Sequence, residues 1–187
     1  SPGGTVYSGV RGGAGGKCWS TFSNKSTDDG QSWTNFGSAM SGAGYAFREG
    51  VIITWGGIYC VDAVGYGMFL SLDDGQNWQD FGLPCYPTAL SIGSMNKIFL
   101  GGQDYVTEYG LSYSADLCST WVGISTIVPE DLLALPSGEI LAATNGGGLY
   151  LFSENGDSIG TLNEGLSNLN VHTLAMDSLG YVYAGTD

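Results

Sequence analysis

The chain has 187 residues, of which 43% are hydrophobic, 12% aromatic and only 12% charged, with 32 glycines. That hydrophobic fraction excludes disorder, the irregular glycine spacing excludes collagen, and the shortage of helix-forming Lys and Glu points to strands joined by tight turns. Eighteen acidic residues against five basic ones give a formal charge of −13, which repels nucleic-acid backbones and anionic membranes and suits a soluble chain in a salty extracellular setting.

In chain order, Thr5 to Gly9 reads as a short strand closed by glycine, followed by the loop Gly12-Gly13-Ala14-Gly15-Gly16. That loop lacks the Lys-Ser tail and following helix of a phosphate cradle, so it is a connection between strands. Cys18 to Ser23 forms the next strand and runs into Ser26-Thr27-Asp28-Asp29-Gly30-Gln31-Ser32-Trp33. After it, Trp33-Thr34-Asn35-Phe36 sets two polar residues between two aromatics, a slip in alternation that predicts a bulge after the turn.

The same plan returns. Val51 to Trp55 ends at Gly56-Gly57, and Gly67 to Leu70 enters Ser71-Leu72-Asp73-Asp74-Gly75-Gln76-Asn77-Trp78, followed by Gln79-Asp80-Phe81. Lys97 to Leu100 ends at Gly101-Gly102, and Gly110 to Tyr113 enters Ser114-Ala115-Asp116-Leu117-Cys118-Ser119-Thr120-Trp121. Asp131 to Leu135, Glu139 to Thr144 and Gly148 to Phe152 lead to a degraded copy at Ser153, where Asn155, Asp157 and Gly160 replace Asp, Gly and Trp. His172 to Met176 and Tyr181 to Thr186, joined by Asp177-Ser178-Leu179-Gly180, close the chain.

The first serines of the four copies lie 45, 43 and 39 residues apart, the period of a four-stranded propeller blade. The expected fold is all-β: a β-propeller of four-stranded blades, here about four blades of a larger, roughly six- to eight-bladed ring. The units run 1–38 (partial), 39–83, 84–125, 126–167 and 168–187 (partial). The first lacks its first strand and the last lacks its final two. Each keeps the strand that ends in glycine, Gly9 or Gly185, so the two ends do not complete one another.

The repeated phrase has a physical use at a strand–turn–strand corner. Its Asp accepts backbone N–H groups, its Ser braces the bend, its Gly takes positive φ, and its Trp covers the corner. Ser26, Asp28, Gly30 and Trp33, then Ser71, Asp73, Gly75 and Trp78, then Ser114, Asp116 and Trp121, and finally Ser153, are therefore structural residues. These phrases resemble the Asp-box, or bacterial neuraminidase repeat, of sialidases, xyloglucanases and sortilin-type receptors, and the resemblance covers nearly the whole chain. The stretch from Gly165 to Thr186 is also similar to two-component-regulator propellers and to repeats of secreted Bacteroidetes-type proteins. The resemblance implies an exported propeller whose Asp-boxes sit on the blade periphery, away from a central site.

It also implies tests for chemistry. Sialidases grip a carboxylate with three arginines, whereas this stretch holds only Arg11 and Arg48. A glycosidase of the xyloglucanase kind needs two carboxylates across a cleft; Asp62, Asp104, Glu108, Glu130 and Asp131 lie outside the repeats, but no motif pairs them. His172 has no nucleophile motif beside it, and Asn24-Lys25-Ser26 is a sequon whose serine already belongs to a corner.

Cys18, Cys60, Cys85 and Cys118 lack any CxxC pair, which disfavours zinc; they admit three disulfide pairings or buried thiols, with the scarcity of lysine favouring an oxidised, exported chain. No cofactor is expected. Of the metal ions only Ca²⁺ suits so acidic a surface, and no stretch has EF-hand spacing. No segment is long and apolar enough to insert in a membrane.

The reading is thus a non-catalytic, extracellular or cell-surface segment that binds a glycan or a protein surface or serves assembly at the cell surface. Trp19, Trp55, Tyr59, Asp62, Tyr66, Asp104 and Tyr105 are the candidate ligand contacts. The alternatives are a glycoside hydrolase with catalytic residues partly outside the stretch, and a fibre that self-assembles through open blade edges.

Overall fold

The computed structural model describes residues 6–11, 21–38, 42–48, 50–60, 63–82, 85–103 and 109–187; within them, the side chains of 6–11, 21–23, 35–38, 42–45, 55–60 and 63–66 are not described. The chain forms two compact units, Ser1–Leu83 and Pro84–Asp187.

In the first unit β1 (Val6–Arg11), β2 (Thr21–Ser26) and β3 (Thr34–Ser38) make a three-stranded antiparallel sheet in the order β1-β2-β3. Next come β4 (Gly42–Arg48), β5 (Val51–Cys60), β6 (Ala63–Ser71) and β7 (Gln79–Asp80), a four-stranded meander. The alternation slip after Trp33 does correspond to an irregularity: Asn24 faces Asn35 but Phe22 faces Ser38, so β3 carries one extra residue.

β1 runs past Gly9 to Arg11 and β2 spans Thr21–Ser26, not Cys18 to Ser23; β5 departs furthest from expectation. β5 does not stop at Gly56-Gly57 but continues to Cys60, because β6 pairs along its whole length, from Ile52 opposite Ser71 to Cys60 opposite Ala63. Gly56 stands opposite Gly67, where a Cβ would lie 2.6 Å from the Phe69 ring, so glycine here makes room for an aromatic and does not end the strand. Ile52, Ile53 and Met68 are fully buried.

The second unit holds β8 (Tyr86–Ile92), β9 (Ile98–Gln103), β10 (Leu111–Ser114) and β11 (Val122–Ser125), again a four-stranded meander. A second meander follows with β12 (Asp131–Ala134), β13 (Ile140–Thr144), β14 (Gly148–Phe152) and β15 (Ser158–Thr161). The last two strands, β16 (Val171–Met176) and β17 (Val182–Thr186), form a two-stranded sheet.

Side-chain alternation along β13 shows how these sheets stack. Ile140 and Ala142 join Leu132 and Phe152 against Ala89, Phe99 and Leu111 of the β8–β11 sheet. Leu141 and Ala143 turn the other way and pack with Leu149 against Val171 and Leu174 of β16. All five residues of β13 are therefore buried, and sequestering Ile140 and Leu141 contributes about 1.5–3 kcal/mol each.

The first strands of successive sheets are also linked by polar bonds. Ala134 N–H donates to Ser91 Oγ at 3.0 Å, and Leu174 N–H donates to Asp131 Oδ2 at 2.7 Å. Each first strand thus supplies a side-chain acceptor for a backbone donor of the next, which satisfies groups on edges that no fifth strand covers. Among the described residues no helix is long and apolar enough to cross a membrane; the one helical element is the single 3-10 turn Ser94–Asn96.

Candidate functional site

The Ser-x-Asp-x-Gly phrases form the turn between the last two strands of their sheets, and three of them have one geometry. Ser71, almost fully buried at the end of β6, donates its hydroxyl to Asp73 Oδ1 at 2.9 Å and accepts Gly75 N–H at 2.8 Å. Asp73 in turn accepts Asn77 N–H at 2.8 Å and the Asn77 amide at 2.6 Å. Trp78 donates its indole N–H to Gly75 O at 3.1 Å.

Ser26, Asp28, Gly30, Ser32 and Trp33 repeat every one of these bonds, with Ser26 Oγ at 2.6 Å from Asp28 Oδ1. Ser114, Asp116 and Thr120 repeat the serine and aspartate bonds, with Cys118 N–H at 2.9 Å from Ser114 Oγ.

The turn requires two successive left-handed residues: Asp29 and Gly30, Asp74 and Gly75, Leu117 and Cys118, with φ of 55 to 58° at the first position and 71 to 87° at the second. Glycine takes the second position freely. Cys118 takes it at φ 71°, and its buried thiol is pushed up to about 12 by desolvation, with the Asp116 charge adding to the effect.

The same bonds hold the aspartates ionised. Asp28 is lowered to about 2, chiefly by the Ser26 hydroxyl and then by Ser32; Asp73 is lowered mainly by Asn77, and Asp116 mainly by Thr120. Carboxylates bonded in this way brace their turns. Trp33 remains 45% exposed while Trp78 and Trp121 are half-buried, so the indole covers its corner to different depths.

The degraded copy keeps the serine hub, with Ser153 Oγ donating to Asp157 Oδ2 at 3.3 Å, and has Asn155 where the other copies have the bracing aspartate. Ser153 Oγ accepts Asp157 N–H at 3.0 Å and Asn155 N–H at 3.3 Å, and Gly156 takes φ 90°. In place of the aspartate clasp, this turn is tied to the preceding sheet. Lys97 Nζ donates to Glu154 O at 2.8 Å while lying 4.8 Å from the Tyr113 ring centroid, and Ser94 Oγ donates to the Glu154 carboxylate. In the first unit, Lys25 makes the comparable link, pairing with Asp74 in the corner of the following sheet.

Four of the seven candidate ligand contacts, Trp19, Asp62, Asp104 and Tyr105, lie outside the described residues, as do the loop Gly12 to Gly16 and Glu108. Trp55 and Tyr59 are on β5 and Tyr66 on β6; the backbone register sets them opposite Met68, Val64 and Gly57. Of the carboxylates outside the repeats, Asp131 accepts Leu132 N–H and Leu174 N–H, and so joins two strands.

His172 Nε2 is 3.0 Å from Asp187 Oδ1, and Asn170 donates to Asp187 Oδ2 at 2.9 Å; these two bonds, Asn170 foremost, lower Asp187. Asp177 is also lowered: desolvation opposes ionisation there, but bonds from Tyr181 N–H and the Tyr183 hydroxyl outweigh it. Asn24 of the sequon is half-buried on β2, and Ser26 beside it is the buried hub of the first corner. Among the described residues no group of three or more His, Cys, Asp or Glu side chains is placed to hold a metal ion.

Sequence reasoning missed several exposed aromatics. Tyr86, Tyr109, Tyr181 and Tyr183 all stand well out of the surface, together with Val122, Val128, Ile159, Leu162 and Leu169. In the sequence they look like strand residues with a buried face. The sequence signal for one of them is Gly123, a glycine within a strand-like run, where a neighbouring side chain needs room.

No protein-family model and no curated protein sequence matches the chain. Among solved structures it is similar to PorZ, described as an essential bacterial surface component of the type-IX secretion system of Porphyromonas gingivalis: TM-score 0.57, 14% identity, covering 90% of this chain and 29% of that one. It is similar to YCF48 bound to D1 peptide, with TM-score 0.53 and 15% identity over 98% of this chain and 65% of that one. It is also similar to XC5397, a gluconolactonase of Xanthomonas campestris, with TM-score 0.63 and 11% identity over 90% of this chain and 66% of that one. The chain thus spans less than two thirds of the length of each neighbour. Identities this low speak to architecture alone, and together with the antiparallel meanders they make the fold that of a β-propeller.

Proposed function

We propose that this chain is a non-catalytic binding segment of an exported Asp-box propeller, acting at or beyond a cell surface on a glycan or a protein. The observation that carries the reading is the division of labour among side chains. The conspicuous carboxylates Asp28, Asp73, Asp116 and Asp131 are engaged by backbone donors of their own turns and strands, while tyrosines and aliphatic residues face solvent. Flat aromatic faces with polar rims suit recognition of sugars and of protein surfaces. The lysine-poor, acidic composition and the Asp-box resemblance support export. Two of the structural neighbours, a bacterial surface component and a protein bound to a peptide, are compatible with a binding role.

The test is to incubate the purified chain with a polysaccharide panel and with cell-surface protein fractions, measuring both retention and released reducing ends. Retention without sugar release is expected. Sugar release that scales with chain concentration and disappears on substituting a carboxylate would replace this reading with the hydrolase one.

A further inference from the structure

We infer that Tyr109 is a stacking platform for the pyranose rings of a neutral polysaccharide; this rests on the binding reading above and names its ligand. Tyr109 precedes β10 at the end of the β8–β11 sheet remote from the Ser114–Trp121 corner. Its backbone neighbour is clamped on both sides: Gly102 N–H donates to Gly110 O at 2.9 Å, and Gly110 N–H donates to Ser125 O at 2.8 Å. A Cβ at Gly110 would lie 2.1 Å from Ile127 O, so only glycine permits this close approach.

The ring itself lies on Gly123 of β11. A Cβ there would stand 2.3 to 2.5 Å from Tyr109 Cδ2, Cγ and Cε2. Gly123 is absent from the positive-φ glycines, so the requirement is space for the ring. One part of the ring is thereby pressed on bare backbone, and the residue is still 45% exposed. The result is an aromatic ring held against backbone on one part and partly exposed to solvent, which loses little entropy when a ligand stacks on it.

The rim is polar. Gln103, next to the Gly102 that bonds Gly110, and Thr126, whose backbone O lies close to Gly110, are both exposed, an amide and a hydroxyl of the kind that pair with sugar hydroxyls. Tyr86, 63% exposed, stands opposite Gln103 in the β8–β9 register, and the Gly102–Gly110 bond carries that row on to Tyr109. Two strand spacings, about 10 Å, separate the two tyrosine positions along the row, a span close to one disaccharide repeat.

Charge narrows the ligand. Residues 84–187 carry eleven acidic side chains and one basic one, Lys97, whose ammonium is held by Glu154 O and the Tyr113 ring. Uronic and sialic acids meet an anionic surface with no available cation, whereas a neutral hexose polymer meets no such penalty.

The experiment titrates the 187-residue chain with cellohexaose, mannohexaose and, as the acidic control, hexagalacturonate, by calorimetry. A neutral hexasaccharide is expected to bind, Tyr109→Phe to keep the affinity, and Tyr109→Ala to lower it about tenfold, the loss of one aromatic stack. Gly123→Ala, which displaces the ring without deleting it, is expected to weaken binding too. If it fails to fold, the two Tyr109 variants still decide the question. Binding of a neutral sugar that Tyr109→Ala leaves unchanged overturns the platform but leaves the binding reading intact. Failure of both neutral sugars, or equal binding of hexagalacturonate, overturns the inference; the binding reading falls as well only if the chain also retains no surface protein.

Discussion

Removing one hydroxyl tests whether the Ser-x-Asp corners hold the fold. Ser71 Oγ is the acceptor for Gly75 N–H at 2.8 Å in a site from which water is excluded, and it also donates to Asp73. In Ser71→Ala the Gly75 N–H loses its partner and cannot turn to solvent. An orphaned buried donor costs about 1–3 kcal/mol, so the expected loss is about 2 kcal/mol. The internal comparison is Ser153→Ala, where the equivalent hydroxyl bonds Asp157 N–H and Asn155 N–H in an exposed turn that water re-satisfies. That variant is expected to stay within about 0.5 kcal/mol of the parent.

Urea titration followed by tryptophan fluorescence reads both. With a slope of about 2 kcal/mol per molar, the midpoint for Ser71→Ala falls by roughly 1 M. Equal midpoints for the two variants would refute the argument that burial of the hub serine sets its worth.

Two further outcomes follow from the same corners. Asp28 is held at about 2, below its unfolded value, and Asp73 and Asp116 are lowered in the same direction. The unfolded chain therefore binds more protons than the folded chain in acid, so this contribution is complete above roughly pH 4 and is lost as pH falls through about 2. Asp28→Asn should flatten the dependence of the urea midpoint on pH in that window, and an unchanged slope would count against the bonding scheme. Cys118 is buried with its thiol pushed up to about 12, so iodoacetamide at pH 8 should label it only as the chain unfolds. Mass mapping that finds it labelled in the native chain would contradict its placement.

Much of the fold was legible because its markers are local. A corner such as Ser71 to Trp78 is built from bonds between residues two to four apart, so eight contiguous residues encode it and its recurrence discloses the repeat. The strands on either side of glycine-ended hydrophobic runs, among them β9, β10, β13 and β14, were visible for the same reason. The outer strands β4, β8, β11 and β15 carry no such local marker: they are short or mixed in composition and acquire their conformation from a partner strand.

Tertiary structure alone decided what lies far apart in sequence. The continuation of β5 through Gly56 and Gly57 depends on β6 pairing along its full length. The bond from Leu174 to Asp131 spans 43 residues, and the tie from Lys97 to Glu154 spans 57. These contacts require one sheet to stack on the next, and no periodicity within a single blade encodes that stacking.

The candidate site divides in the same way. The sequence by itself determined which aspartates brace turns, since their partners follow within four residues. Which tyrosines face solvent depended on packing: Tyr109 and Tyr113 stand four residues apart in the same segment, yet Tyr113 packs at the edge of the core beside Phe99 while Tyr109 lies over Gly123 with its ring exposed. Exposure is the outcome of which neighbouring surface each ring meets, and that is settled only when the sheets assemble.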